Sequence, residues 1–221
     1  MPKAVVLLSG GMDSAVVLSK SLKDGNETTA LSFRYGQRHT KELDSAKAVA
    51  EHYGVRHIII DIDLSMFRSS LVGNSEDVEK DRKDIGKDIP ATYVPARNII
   101  MLSIAAGLCE SMDADMIYIG ANSVDYSGYP DCRKEFFDAF ENMIRTGTKA
   151  GTEGRPVKVI APLLDMPKKD IVVLGKQLGT PLNLTWSCYS GNDKACGHCD
   201  SCVLRLKGFE DAGYEDEAEY E

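Results

Sequence analysis

Short runs of β-branched and aliphatic residues alternate along this chain with longer segments whose apolar residues recur at helical spacing. That alternation restricts the fold more than any other feature. The runs at 3–8, 28–35, 55–63 and 116–121 read as strands, with 157–161 as a possible fifth. Between them, 14–22, 41–53, 98–111 and 134–144 read as helices, with Leu43, Ala46, Ala50 and Tyr53 on one face of the second and Phe136, Phe137 and Phe140 on one side of the last. Strands separated by helices, joined by right-handed crossovers, predict an α/β class: a doubly wound, mainly parallel sheet of about five strands. Ligands of such sheets collect at the carboxyl ends of the strands.

The first strand-to-helix turn carries the densest chemistry. SGGMDS, Ser9 to Ser14, stands between the strand at 3–8 and the helix at 14–22. Backbone N–H groups at such a turn point outward and the helix dipole favours an anion, so the stretch is expected to cradle phosphate. It lacks the Gly-Lys-Ser/Thr ending of a Walker A loop and the spaced glycines of a dinucleotide fold. Ser9, with Leu7 and Gly11 two positions away, is not in a Gly-x-Ser-x-Gly nucleophile elbow either. The plainer alternative is a tight turn with Asp13 as a helix cap.

Charge narrows the partner. The 221 residues carry a net charge of -8 and no lysine–arginine run that could track a phosphate backbone, so a small molecule is expected and nucleic acid is not. No apolar run reaches the ~18 residues of a membrane span. The five apolar residues after Met1-Pro2-Lys3 fall short of a signal-peptide core, so a cytoplasmic protein without a membrane partner is expected. From 64 to 92 the pattern breaks; NSEDVEKDRKDIGKDIP is too charged to bury and is expected to form a surface excursion. The tail YEDEAEYE is expected to be a solvated acidic end.

Cys109 and Cys132 stand alone, whereas Cys188, Cys196, Cys199 and Cys202 crowd together. A reducing compartment argues against a disulfide framework. The spacing Cys-x7-Cys-x2-Cys-x2-Cys supplies four thiolates and predicts one closed, tetrahedral, structural Zn2+. A redox Cys-x-x-Cys pair is the alternative, and His198 is a possible substitute ligand.

SGGMDS resembles the pyrophosphate loop of the N-type ATP pyrophosphatases, whose pattern is Ser-Gly-Gly-x-Asp-Ser. The resemblance implies an adenine nucleotide alpha hydrolase-like fold that binds ATP with Mg2+ through Leu8, Ser9, Gly10, Gly11, Met12, Asp13 and Ser14. Ser9 and Ser14 would donate hydroxyl hydrogen bonds, the glycines would admit the phosphates, and Asp13 would either cap the helix or help hold Mg2+.

FRYGQRH at 33–39, VPARN at 94–98, GANSVDYSGYPDCR at 120–133 and CGHCDSC at 196–202 together resemble the 7-cyano-7-deazaguanine synthases of the queuosine pathway, over nearly the whole chain. That family implies an ATP-dependent carbon–nitrogen ligase, homodimeric, turning 7-carboxy-7-deazaguanine and ammonia into the nitrile through an amide. It implies one domain over 1–221 with 186–212 as its zinc-binding segment. Arg97 and Lys168 join Asp13 as candidates for handling the phosphates. For the substrate, Asp131 is the first candidate and Asp125 the second to accept the donors of the base, with Phe33, Tyr126 or Tyr129 stacking on the ring and Arg133 meeting the acid end. Cys132 is either a nucleophile or a packed thiol, and Arg38 and His39 are not separable from an exposed strand end. The alternatives are a related ligase or sulfur transferase acting on tRNA and a zinc-dependent interaction module; no basic extension supports the first, and the second leaves SGGMDS unexplained.

Overall fold

The apolar run after Met1-Pro2 becomes β1 (Lys3–Leu7), which leads through the loop into α1 (Met12–Lys23) and β2 (Glu27–Arg34). The order continues through α2 (Lys41–Tyr53), β3 (Arg56–Asp61), α3 (Arg97–Met112), β4 (Met116–Tyr118), α4 (Lys134–Gly147) and α5 (Lys149–Thr152). It ends with β5 (Lys158–Ile160), α6 (Lys168–Leu178) and α7 (Asp200–Ala212). This computed structural model describes residues 1–37, 41–72, 78–82, 89–124, 129–190 and 193–221.

All five strands are parallel in the order β3-β2-β1-β4-β5, the expected doubly wound sheet. β1 is central, with Lys3 to Leu7 in register against Glu27 to Leu31 on one side and Ala4 to Val6 against Met116 to Tyr118 on the other. Successive strand side chains face opposite ways. Ala4 and Val6 therefore pack with α1, α2 and α6, and Val5 packs with α3 and α4. After β3 the chain crosses back to the other side of β1 to form β4, so the loops leaving β1 and β4 diverge and open a crevice between them.

Two expectations are corrected. The ends of the 64–92 excursion are built into the protein: Leu64, Leu71 and Val72 belong to the core beside α3, and Ser70 N donates to Ala91 O at 2.9 Å. Among the described residues of the charged stretch, Glu79, Lys80 and Asp81 are exposed as expected, while Arg82 Nη1 lies 2.9 Å from Asp200 Oδ2 at the start of α7. The acidic tail also folds back. Asp216 takes both Arg205 Nε at 2.7 Å and Nη2 at 2.9 Å, and both side chains are nearly inaccessible. A buried arginine needs a carboxylate, and the tail supplies it.

Candidate active site

Gly10 and Gly11 serve different ends. Gly10 has φ +97°, and a Cβ on it would lie 1.9 Å from the carbonyl oxygen of Glu42, so only glycine lets the loop rest against the first turn of α2. Trp186 N donates to Gly10 O at 2.9 Å and holds the loop from the other side. Gly11, the N-cap of α1, has an ordinary extended backbone, and a Cβ there would meet only Ser9 Oγ at 3.4 Å and Trp186 O at 3.6 Å. The fold does not demand that glycine, and it faces a cavity.

The serines brace the loop's own backbone. Ser14 Oγ donates to Gly11 O at 2.9 Å and accepts from Ser9 N at 3.2 Å, while Ser9 Oγ accepts from Gly11 N at 3.2 Å. Among the described residues no side chain caps α1, which leaves the first-turn amides of Met12, Asp13 and Ser14 to an anion in the cavity. Leu8 and Met12 are buried beneath the loop.

Asp13 does not cap the helix but ion-pairs with Lys168, whose Nζ lies 2.8 and 3.1 Å from its two carboxylate oxygens. The partners are 155 positions apart, and Lys168 is only 7% exposed. Its stem is admitted by Gly208 of α7, where a Cβ would lie 2.4 Å from Lys168 Cγ. Asp13 and Lys168 both line the cavity, so the charge pair is available to a ligand.

The cavity, about 260 Å³, spans the carboxyl ends of β1, β2 and β4, with Leu31, Phe33 and Ile119 among its lining and the loop at one side. Arg97 also lines it. Ala96 takes the left-handed φ 57°, ψ 17°, a conformation costing a residue with a Cβ roughly 1 kcal/mol or more, and turns the chain into α3 with Arg97 at the cavity. Burial pulls the Arg97 pKa down, but Tyr35, Tyr129, Tyr189 and Asp131 more than reverse this and hold the guanidinium above its ordinary value. Glu42 lines the cavity as well. Burial pushes its carboxyl up to about 7, with Arg97 opposing the shift and the Cys188 sulfur adding to it.

Of the residues expected to meet a base, Phe33 and Tyr129 line the cavity, Tyr129 with its hydroxyl 2.6 Å from Thr92 Oγ1. Asp125, Tyr126, Arg38 and His39 lie outside the described residues. Asp131 is buried away from the lining: its Oδ2 accepts from Asn98 N at 3.3 Å, where it serves the amino end of α3. Arg133 is exposed at the start of α4 and is also absent from the lining. Cys132 does reach the cavity, but burial, reinforced by Asp131, pushes its thiol up to about 12, so it is protonated near neutral pH. Cys109 is wholly buried in the core.

The cysteine cluster borders the same space. The Sγ atoms of Cys188, Cys196, Cys199 and Cys202 lie within 4.8 Å of one another, all buried and none in a disulfide. Zn–S bonds of about 2.3 Å in a tetrahedron set sulfurs about 3.8 Å apart, so the group fits one such ion. Backbone amides face the sulfurs as thiolates require: Ser190 N and Cys196 N at 3.4 and 3.3 Å from Cys188 Sγ, and His198 N and Cys199 N at 3.4 and 3.3 Å from Cys196 Sγ. The His198 ring turns outward to Asp81 Oδ1 at 3.0 Å. Cys188 and Tyr189 line the cavity, and Trp186 donates from N to Gly10 O at 2.9 Å and from Nε1 to Cys188 O at 3.0 Å. The cluster is thereby tied to the phosphate-type loop.

Sequence reasoning passed over Glu42, Trp186 and Arg205, all of which line the cavity. Arg205 is a strut more than a ligand group: besides Asp216 it donates to Thr185 Oγ1 at 2.8 Å and Leu182 O at 3.1 Å. The arginine within CVLRLKG gave no local sign of this, since its partners come from the tail and the turn before Trp186.

A family model described as "Queuosine biosynthesis protein QueC" matches residues 3–213. Relatives include the 7-cyano-7-deazaguanine synthases of Picrophilus torridus, 53% identical over 222 residues with 100% of this chain and 92% of the relative covered, and of Acetivibrio thermocellus, 53% identical over 221 residues with 100% and 98% covered. Among solved structures, a 4-thiouridine synthetase in complex with RNA and bound ATP has a TM-score of 0.53 at 20% identity, covering 99% of this chain and 47% of its own. NMN synthetase from Francisella tularensis gives 0.52 at 18%, covering 97% and 78%. Identities that low speak for the fold alone. The family match, by contrast, runs from residue 3 to residue 213 and the two relatives match this chain from end to end, so the chain belongs to the queuosine biosynthesis protein QueC family.

Proposed function

We propose that the chain is an ATP-dependent carbon–nitrogen ligase that converts 7-carboxy-7-deazaguanine and ammonia to 7-cyano-7-deazaguanine through an activated carboxylate and an amide. The observation that carries the proposal is the uncapped SGGMDS turn opening into one cavity with Lys168, Arg97 and aromatic faces, in a chain whose relatives are named for that product. A carboxylate is a poor electrophile until one oxygen becomes a leaving group, and transfer of a phosphate-bearing group from ATP achieves this. The amides of Met12, Asp13 and Ser14, with Leu8, Ser9, Gly10 and Gly11 shaping the loop, hold the phosphates. Lys168 and Arg97 stabilise the charge that develops there. Asp13 orients Lys168 and is the loop's carboxylate for the Mg2+ that accompanies ATP.

Ammonia then attacks the activated acyl carbon, and a second activation, of the amide oxygen, allows dehydration to the nitrile. Phe33 and Tyr129 flank the deazapurine, joined by Asp125 and Tyr126; Arg133, exposed and off the cavity lining, is given no part in binding it. Asp131 acts by holding Asn98 and the start of α3. One Zn2+ on Cys188, Cys196, Cys199 and Cys202 fastens the C-terminal segment to the cavity rim and takes no part in the reaction. The same reading has the chain working as a cytoplasmic homodimer, which light scattering of the pure protein tests for assembly.

The test is ATP consumption by the purified protein with the deazapurine acid and ammonium together, with either omitted, and with tRNA in place of the acid. Turnover should require the acid. Turnover driven by tRNA instead would replace this reading with that of a tRNA-acting ligase, and turnover with neither would remove the ligase altogether.

A further inference from the structure

A 7-deazaguanine ring presents its N1–H and 2-amino group side by side, two donors that one carboxylate accepts together. Among the described residues two carboxylates line the cavity, Asp13 and Glu42. Asp13 is engaged by Lys168 through both oxygens. Glu42 is not: no hydrogen-bond donor reaches its carboxylate among the described residues, and its charged neighbour is Arg97. Glu42 is half-buried and lines the cavity, so its carboxylate is open on that side to donors that a ligand brings.

The surroundings specify what kind of ligand. Phe33, Tyr35, Trp186 and Tyr189 line the same cavity and offer flat apolar faces to a ring. Adenine places one amino group beside ring acceptors, a poor match for two bare oxygens, and ammonium, a single nitrogen, is too small to fill a space walled by several rings. Glu42 is also rooted firmly, since its backbone carbonyl packs against Gly10 of the loop.

We propose that Glu42 is the specificity-determining residue for the deazapurine, accepting its N1–H and 2-amino group. This rests on the ligase reading above. Steady-state kinetics of wild type, Glu42→Gln and Glu42→Asp test it, with the acid, ATP and ammonium each varied, and with an analogue of the acid that lacks the 2-amino group. Glu42→Gln should raise the KM for the acid roughly 10- to 100-fold, as loss of a charged hydrogen bond does, and leave the KM for ATP and for ammonium unchanged. Wild type should disfavour the analogue, and Glu42→Gln should lose much of that preference. A shift in the ATP or ammonium KM in place of the acid KM, or an unchanged acid KM, overturns the assignment while leaving the ligase intact. Should Glu42→Gln not fold, wild type and Glu42→Asp decide: equal KM values for the acid and its analogue in wild type, or undiminished preference in Glu42→Asp, overturn it. Wild type inert towards the acid removes the ligase reading as well.

Discussion

Gly10 and Gly11 are neighbours in sequence, yet their replacements should fail in different ways. Alanine at Gly10 would hold φ at +97° with a Cβ 1.9 Å from Glu42 O and 2.9 Å from Ala46 N, backbone atoms that cannot swing aside. The dihedral strain costs about 1–3 kcal/mol and the overpacking about as much again, so a loss of roughly 2–6 kcal/mol is expected. Set against a typical total of about 5–15 kcal/mol, that removes a large share of the stability and lowers Tm by roughly 5–20 °C. Gly11 has a backbone that any residue adopts, and its Cβ would make ordinary contacts at 3.4 and 3.6 Å. Gly11→Ala should leave Tm level or raise it slightly through the unfolded chain, whereas Gly11→Val should obstruct the phosphates and raise the Kd for ATP at least about tenfold with the fold intact. Thermal unfolding followed by circular dichroism and an ATP titration of each variant measure both quantities. A Gly10→Ala protein as stable as wild type, or a Gly11→Val protein that binds ATP normally, would refute the reasoning.

Metal-replete protein should contain one zinc per chain; stripping it should change the fluorescence of Trp186, the chain's single tryptophan, and weaken ATP binding, because Trp186 links Cys188 O to Gly10 O. Well under one zinc per chain would contradict this. Asp216 is buried, which alone would raise its pKa, but Arg205 outweighs burial and the pKa is lowered. A lowered carboxylate pKa gives stability that is present above the ordinary value near pH 4 and lost as pH falls through the folded value. Asp216→Asn should therefore cost roughly 3–5 kcal/mol at pH 7, by leaving Arg205 buried without its charge partner, and should narrow the gap to wild type on acidification; a gap that stays constant into acid would oppose the assignment. Cys132→Ser should retain turnover within a few-fold, since the thiol is pushed up to about 12, and a complete loss would return Cys132 to the chemistry.

What could be read in advance follows the range of the interactions. The strands of a parallel sheet buried on both faces are continuous apolar runs, so 3–8 and 28–35 announced β1 and β2 almost to the residue. The phosphate-type loop and the four-cysteine group were legible because each is written in a few adjacent positions. Roles set by distant partners were not. Asp131 looks like a turn carboxylate aimed at a ligand until Asn98 appears beside it, and Asp13 looks like a cap until Lys168 arrives from α6. The acidic tail reads as solvated because nothing near it hints at Arg205 beneath. Glu42 sits in a helical pattern indistinguishable from a solvent-facing one, and only the return of α3 and the cysteine segment over the sheet encloses it.

The most direct test of the central claim is the fate of nitrogen. Purified protein, ATP, the deazapurine acid and isotopically labelled ammonium should yield 7-cyano-7-deazaguanine carrying one labelled nitrogen, identified by mass spectrometry, with the labelled amide accumulating first when ATP is limiting. ATP consumed with the acid present but no label entering the deazapurine would contradict the account.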